Sequence, residues 1–330
     1  MKSIKVVITM DVEPTTATTH PTATGPANWE LGERAVRGYA KIAASYGFPV
    51  TFFIHPEAAL AQARMFDKLR SQGACLGLHI HAWKYSMWRH DGQRYMAHYG
   101  GLSENEQRML LAEAGALWQE ALGEWPQYFR PGTFSANDAI FRVLNDMGFR
   151  GGSCSAPGRM MPEMQAVWTG TEPDPHRAHA SFRQLPGSLD FVNMPLSADF
   201  SVSLEGRIGR RMHPDPRPDT DWETQYGVSY ESIAKNIVNQ VMDRAPSVPV
   251  INVVSHNHYD YCEPTDATCG RLNRSLAAII AACESAGIKP IGATLSDVVD
   301  EALRVPINEP TFVCEGNIME KAGAVGVLGR

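Results

Sequence analysis

The fold is indicated first by the stretch Ile4-Lys5-Val6-Val7-Ile8-Thr9-Met10-Asp11-Val12-Glu13-Pro14, in which an apolar, β-branched run leads directly to two carboxylates. A run of this length and composition predicts a buried β-strand over residues 4–9. Asp11 and Glu13 are two residues apart, so on an extended chain their side chains point to the same side. The stretch therefore predicts a strand that delivers two acidic side chains to one place.

The same alternation of short apolar runs and longer helical patterns continues along the chain. Further strands are predicted over residues 50–54, 75–80, 127–130, 149–153, 248–254 and 288–291. Helices are predicted over residues 32–46, 56–72, 104–122, 135–147, 230–244, 271–286 and 295–303. Repeated β-then-α order implies a parallel sheet with crossover helices, and seven or eight such units favour a closed barrel over an open sheet. No GxGxxG or P-loop motif follows a predicted strand, which weakens a nucleotide-binding fold.

One region departs from this pattern. Residues 154–229 are rich in Pro, Gly, His and Arg and have weak periodicity, which is typical of a functional or covering segment. We expect one barrel domain over residues 1–304, in which residues 154–229 are a loop-rich insertion that covers the site. Residues 305–330 are expected to form a C-terminal extension.

Composition excludes several classes of protein. The 330 residues are 44% hydrophobic and 20% charged, with a net charge of −6 and no basic stripe, so we expect no nucleic-acid partner. The longest apolar run, residues 276–283, is far shorter than a transmembrane helix, and no export signal precedes the first strand. We therefore expect a cytoplasmic protein without a transmembrane segment.

The predicted strand ends carry the reactive side chains. Besides Asp11 and Glu13, these are His79 and His81 after the third strand, Arg130 after the fourth, and His256 after a late strand. In parallel barrels the carboxyl ends of all strands open on one face, so these groups are expected to converge. Two imidazoles and one carboxylate form a three-ligand set for a catalytic divalent metal, and the second carboxylate then stays available as a base.

These segments resemble motifs of the polysaccharide deacetylases, the NodB-homology superfamily that includes carbohydrate esterase family 4. The resemblance rests on the order of five segments. Thr9–Pro14 resembles the T-F-D-D-G-P motif, Val50–Ile54 the A-T-F-F strand, Gly77–Trp83 the G-x-H-[ST]-x-x-H motif, Phe129–Gly132 the R-x-P segment, and Val250–His256 the apolar strand that ends in His. The resemblance implies a distorted (β/α)7-8 barrel of the polysaccharide deacetylase type.

Two positions depart from the family pattern. Val12 stands where the family has its second aspartate, and Trp83 stands where it has its second histidine. Neither side chain can bind a metal, so Glu13 and His81 are the natural replacements, which gives a variant with D-x-E and H-x-H motifs. The fourth family motif has no secure counterpart, and Asp190 is a weak candidate for it.

The resemblance implies a metal-dependent hydrolase of a non-peptide carbon–nitrogen bond. Its substrate would be an acylamino sugar, small or lipid-linked, or a small amide. One divalent metal ion would be bound by Glu13, His79 and His81; zinc is expected, with nickel, cobalt, manganese or iron as alternatives. Asp11 would be the general base, held ionised by Arg130, and His256 would protonate the leaving amine.

Several alternatives remain open at this stage. Asp11 could replace Glu13 as the carboxylate ligand, and His258 could replace His256 as the acid. The chain could instead be a non-catalytic sugar-binding relative or a metal-independent barrel glycosidase. The oligomeric state is left open by the sequence.

Overall fold

In the computed structural model, which describes residues 2–20, 23–206 and 209–307, the alternating pattern forms a curled, mostly parallel sheet with helices between its strands. Its strands, with those of a small second sheet, are β1 (Ser3–Val12), β2 (Val50–Ile54), β3 (Cys75–Ile80), β4 (Tyr128–Pro131), β5 (Gly151–Gly152), β6 (Met160–Met161), β7 (Ala166–Val167), β8 (His176–Arg177), β9 (Val192–Asn193), β10 (Leu204–Glu205), β11 (Arg211–Met212), β12 (Val250–His256) and β13 (Lys289–Gly292). The α-helices are α1 (Trp29–Ser45), α2 (Pro56–Ser71), α3 (Ala82–His90), α4 (Glu104–Leu122), α5 (Ile140–Asp146), α6 (Trp222–Tyr226), α7 (Tyr230–Arg244), α8 (Ala267–Ser285) and α9 (Leu295–Ala302).

The main sheet has the order β12-β1-β2-β3-β4-β5-β9-β8, and β13 pairs with the beginning of β1. All of these pairs are parallel except β8 with β9. The register places Asp11 opposite His256 and His79 opposite Arg130. Strand pairing alone therefore brings these four residues to the same edge of the sheet.

The sheet is a curled half-barrel rather than a closed one, and an irregular segment, residues 194–197, bridges β5 and β12. The Met194 N–H donates to the carbonyl of Gly152 (2.8 Å), and the Ser197 N–H donates to the carbonyl of Asn252 (3.3 Å). The buried side chain of Asn252 adds hydrogen bonds to Ser153 Oγ and to the carbonyl of Pro195 (both 3.0 Å). Polar contacts thus replace a regular strand pair at this seam, which makes the barrel distorted.

Alternation along β1 separates the core from the site. Val6, Ile8 and Val12 are fully buried among the residues that pack between sheet and helices. Thr9 and Asp11 point to the other side, where both bind Arg130. Val12 therefore belongs to the hydrophobic core, and the next carboxylate available to the site is Glu13.

The expected fold class is confirmed, and most element bounds agree with the sequence prediction to within a few residues. The predicted helix over 135–147 is wrong at its start, because Ser135 has an extended backbone, its hydroxyl accepts from the Gly100 N–H, and α5 begins only at Ile140. The predicted strand over 149–153 is reduced to β5, and α3 was not predicted.

Residues 154–229, called the roof below, contain no long regular element. A small antiparallel sheet in the order β10-β11-β6-β7 and the short helix α6 occupy part of the roof. The division into domain and extension stays a prediction, since residues 308–330 lie outside the described part of the chain. Among the described helices, none is both long and apolar enough to cross a membrane.

Candidate metal centre and active site

Three of the predicted side chains form a buried cluster. Glu13 Oε1 lies 3.0 Å from His81 Nε2 and 3.3 Å from His79 Nε2. One ligand atom from each of the three residues lies within 4.8 Å of the other two. His79 belongs to β3, His81 follows that strand directly, and Glu13 follows β1. The strand ends therefore converge, as the barrel argument predicted.

A backbone contact fixes the orientation of His79. Its Nδ1 lies 3.0 Å from the carbonyl oxygen of Arg130, which can only accept a hydrogen bond. Nδ1 therefore donates to this carbonyl, which leaves Nε2 on the Glu13 side. Metal-binding histidines are commonly oriented in this way by a carbonyl on the other ring nitrogen.

The charge states within the cluster suit a cation. Burial opposes ionisation of Glu13, but His81, Lys84 and His79 hold its pKa well below the usual range. Burial lowers the pKa of His81 to about 4, so its imidazole is neutral at neutral pH. An ionised carboxylate and a neutral imidazole are the forms that bind a metal ion.

Lys84 is a member of this cluster that the sequence reasoning missed. Its buried ammonium donates to Glu13 Oε2 (2.8 Å), to the carbonyl of Thr24 (2.7 Å) and to Thr24 Oγ1 (2.9 Å). It thereby anchors Glu13 and the loop after β1 to α3. A usable signal was a single lysine within an aromatic stretch, Trp83-Lys84-Tyr85, directly after the H-x-H motif.

Two further residues keep the cluster in shape. The side chain of Asn257 accepts a hydrogen bond from the Glu13 N–H (2.9 Å) and donates one to the Glu13 carbonyl (3.1 Å). Gly132 leaves room for His81, because a Cβ atom there would lie 2.3 Å from the imidazole ring. Asn257 therefore positions Glu13 through its backbone, and the close approach of Gly132 positions His81.

The second carboxylate has different partners. Arg130 is fully buried; it donates from Nη1 to Asp11 Oδ1 (2.7 Å) and from Nη2 to Thr9 Oγ1 (2.8 Å). Burial opposes ionisation of Asp11, but Arg130, with His79 and His256, lowers its pKa below the usual value. Asp11 is therefore ionised and oriented by Arg130. Glu13, and not Asp11, is the carboxylate of the cluster with His79 and His81.

His256 lies on the opposite side of Asp11, between two carboxylates. Its Nε2 is 3.8 Å from Asp11 Oδ2, and its Nδ1 donates to Asp219 Oδ2 (2.5 Å). Asp219 also accepts from Ser255 Oγ (2.5 Å). Burial alone would lower the pKa of His256, but Asp219 raises it above the ordinary value, with a smaller contribution from Asp11. The two carboxylates therefore favour the protonated form of this imidazole.

Asp219, and not Asp190, is the roof carboxylate of the site. Asp190 has a side chain that is 89% exposed and is paired with Arg177. Sequence reasoning missed Asp219, although it ends the alternating stretch Asp215-Pro-Arg217-Pro-Asp219, which indicates an extended chain with charged groups on one side.

The remaining histidines have other surroundings. Burial lowers the pKa of His258 to about 4, so it is a poor proton donor at neutral pH. His55 caps the start of α2, where its Nδ1 accepts from the Glu57 N–H (3.4 Å). His20 lies in the loop after β1. These three residues are not part of the Glu13, His79 and His81 cluster.

The donor set fits a divalent metal. It offers two imidazole nitrogens and one carboxylate oxygen, while Lys84 occupies the other oxygen of Glu13. Three protein ligands with further positions left open are the pattern of catalytic rather than structural zinc sites.

The comparisons with known proteins agree with this geometry. The family model for polysaccharide deacetylases matches residues 3–152, a range that includes β1 to β5 and five of the six predicted site residues. Over these residues, just under half of the chain, the sequence is similar to the polysaccharide deacetylases, which are hydrolases that act on carbon–nitrogen bonds.

Solved structures support the same fold. A Mycobacterium smegmatis protein assigned as a polysaccharide deacetylase matches with a TM-score of 0.57 and 15% identity, over 91% of this chain and 90% of its own. A Pseudomonas aeruginosa PAO1 protein with the same assignment gives 0.54 and 14%, over 90% of each chain. Puue allantoinase gives 0.51 and 14%, over 90% of this chain and 89% of its own. No curated protein matches the sequence significantly.

Proposed function

We propose that this protein is a metal-dependent amidohydrolase that removes the acyl group from an acylamino sugar or opens a small non-peptide amide. The carrying observation is the position of the Glu13, His79 and His81 cluster beside two separately held proton-transfer groups, Asp11 and His256. The family match over residues 3–152 supports the same reaction class.

Glu13, His79 and His81 would hold one divalent cation, with zinc expected from the ligand set. Such an ion, when bound, lowers the pKa of water and polarises a carbonyl group. Asp11 would take a proton from the attacking water. Its ion pair with Arg130 keeps this carboxylate unprotonated and fixes its orientation beside His256.

His256 would supply the proton that an amine needs in order to leave. Its raised pKa favours the protonated form, and Asp219 fixes the ring so that Nε2 faces the Asp11 side. A general acid is most effective when its pKa lies near the working pH. The pair Asp219 and His256 therefore supports catalysis over mere sugar binding.

The substrate class is bounded by the relatives and by one aromatic side chain. The matching family and the solved structures include polysaccharide deacetylases and an allantoinase, which act on amides of very different size. Trp83 is half-buried, with its ring centroid 6.4 Å from that of His81, where it could stack on a sugar or a small ring. We place acylamino sugars first and small cyclic amides second.

Metal analysis of purified variants tests the ligand assignment. We expect about one equivalent of divalent metal in the wild type and a large loss in His79→Ala and His81→Ala, because each removes one of three ligands. His98→Ala, which changes a histidine outside the cluster, is the matched control. Full metal content in both ligand variants would refute the assignment.

An amide screen with the metal-loaded protein tests the reaction. Acetate release that stops on chelation and returns with metal supports the amidohydrolase. Activity that is indifferent to chelators would favour the glycosidase alternative, and metal binding without turnover on any acetamido sugar or cyclic amide would favour the sugar-binding alternative.

A further inference from the structure

Arg159, in the roof, is a buried cation without an anionic partner. It is only 9% exposed, and no hydrogen-bond acceptor for its guanidinium occurs within residues 2–20, 23–206 and 209–307. Its backbone is fixed, because its N–H donates to the Ala156 carbonyl (3.0 Å) and its carbonyl accepts from the Trp168 N–H (2.8 Å). The side chain is therefore held in position without being neutralised.

Other buried arginines of the chain differ in this respect. Arg130 binds Asp11, and Arg217, whose side chain is 14% exposed, is bound through Nε and Nη2 to Asp215. A charged group away from water is strongly disfavoured unless it is paired. Burial, aided by the positive charge of Arg217, lowers the pKa of Arg159 to about 9, although Asp215 opposes this. Arg159 remains charged at neutral pH and lacks the partner that the other arginines have.

The position of Arg159 relates it to the active site. Its guanidinium carbon lies 5.0 Å from the ring centroid of Phe134, and that of Arg130 lies 5.5 Å from the same centroid. The two guanidinium groups can be no farther apart than these two distances together. Phe134 also follows Gly132, which packs against His81. Arg159 therefore lies near Arg130, the ion-pair partner of Asp11, with the Phe134 ring as their common neighbour.

The ring that the two arginines share is itself held firmly. Phe134 has a φ of +57°, an uncommon value for a bulky residue, and its carbonyl accepts a hydrogen bond from Trp168 Nε1 (2.7 Å). Such backbone strain persists where the surrounding structure fixes it, often at binding sites. Phe134 thus lies at a fixed position between the Arg130–Asp11 ion pair and Arg159.

We propose that Arg159 binds a carboxylate of the substrate, so that the amide hydrolysed here belongs to an acidic molecule. This inference rests on the proposed amide hydrolysis and adds a substrate class to it. A guanidinium presents two parallel N–H donors that match a carboxylate. A phosphate dianion would need a second free cation, and the nearby Arg217 is already neutralised by Asp215. One unpaired positive charge therefore matches one carboxylate.

The test measures equilibrium binding to the metal-loaded protein for matched pairs that share an acetamide and differ only in charge. The probes are N-acetylmuramic acid with its carboxamide and N-acetyl-β-alanine with its carboxamide. We expect the acid of at least one pair to bind about 10- to 100-fold more tightly than its carboxamide, as a charge-assisted pair provides. Arg159→Gln should abolish this preference, and Arg159→Lys should restore part of it.

Arg183→Gln is the matched control. Arg183 also lies in the roof and stacks on an aromatic ring, that of Trp168 at 5.5 Å, but it is paired with Asp138 (2.7 Å). Its loss should leave the preference for the acid unchanged. The Tm of Arg159→Gln should equal or exceed that of the wild type, because an unpaired buried charge is removed.

The inference is overturned if neither pair shows a preference for the acid, or if the preference persists in Arg159→Gln. A lower Tm of Arg159→Gln with unchanged binding would assign Arg159 a structural role and would also overturn it. Hydrolysis is scored separately. A preference for the acid that depends on Arg159, without turnover of any probe, would leave the inference standing and count against the proposed reaction.

Discussion

The strand ends and the roof contribute to the site in different ways. At the strand ends each charged group has an opposite partner: Asp11 binds Arg130, and Glu13 binds Lys84. The roof provides Asp219, which orients a histidine from outside, and Arg159, whose guanidinium has no acceptor in the described chain. The sheet thus holds Asp11 and Glu13 in place. The roof orients His256 through Asp219 and provides Arg159, whose charge is available to a ligand.

The largest effect on activity is expected from a change at a strand end, that of His256. His256→Ala should keep its metal and lose roughly 10²- to 10⁴-fold in kcat on amides, the range for one general acid. The loss should shrink for an acetyl ester of an acidic phenol, whose leaving group needs no proton. His258→Ala is the control; if that variant loses activity while His256→Ala keeps it, the acid lies two residues further on.

A smaller effect is expected when the roof partner of His256 is changed. Asp219→Asn should lower kcat by roughly 10²-fold, the upper range for loss of an orienting partner. The acid form of His256 is present below its raised pKa and is lost as the pH increases through it. Without the negative charge of Asp219 that pKa falls, so the alkaline limb of the kcat/KM profile should move to lower pH.

Combining both changes sharpens the comparison. If Asp219 acts only through His256, the double variant should be no slower than His256→Ala alone. An additional loss in the double variant would show that the roof carboxylate has a contact with the substrate of its own.

The smallest effect is expected at the packing contact between strand ends. Gly132→Ala would place a methyl group against the His81 ring and should weaken metal affinity by roughly 10-fold, as misplaced ligands do. Titration of the metal-free protein with zinc measures this. Gly270→Ala, within α8 and with nothing near its Cβ position, should leave the affinity unchanged. Equal affinities in both variants would contradict the close packing described at His81.

The site residues at the strand ends were predicted more completely from the sequence than those of the roof. Asp11, Glu13, His79 and His81 were found because parallel strands end at one edge, and a period of two decides which residues share a side. Val12 follows the same rule, since it faces the helices. Regular geometry makes such positions predictable from local pattern alone.

The roof and the contacts between elements followed no such pattern. Asp219 reaches His256 from 37 positions away through an irregular chain, and Lys84 lies on α3, which was not predicted. The start of α5 was misplaced because the expected capping side chains, Ser135 and Asn137, bond to the backbone of residues 100 and 102 instead. Long-range packing decides these features, and a local pattern does not contain it.

Lys84 has a consequence for how the metal centre is assembled. Its ammonium compensates the charge of Glu13 inside the protein, so the carboxylate can be buried before any cation arrives. Folding then does not require the ion, in contrast to small zinc domains, which unfold without it. With and without an ion, the Glu13, His79 and His81 cluster would then keep one architecture, so a bound ion would exchange without unfolding of the chain. The identity of the metal would depend on cellular supply as well as on the three ligands.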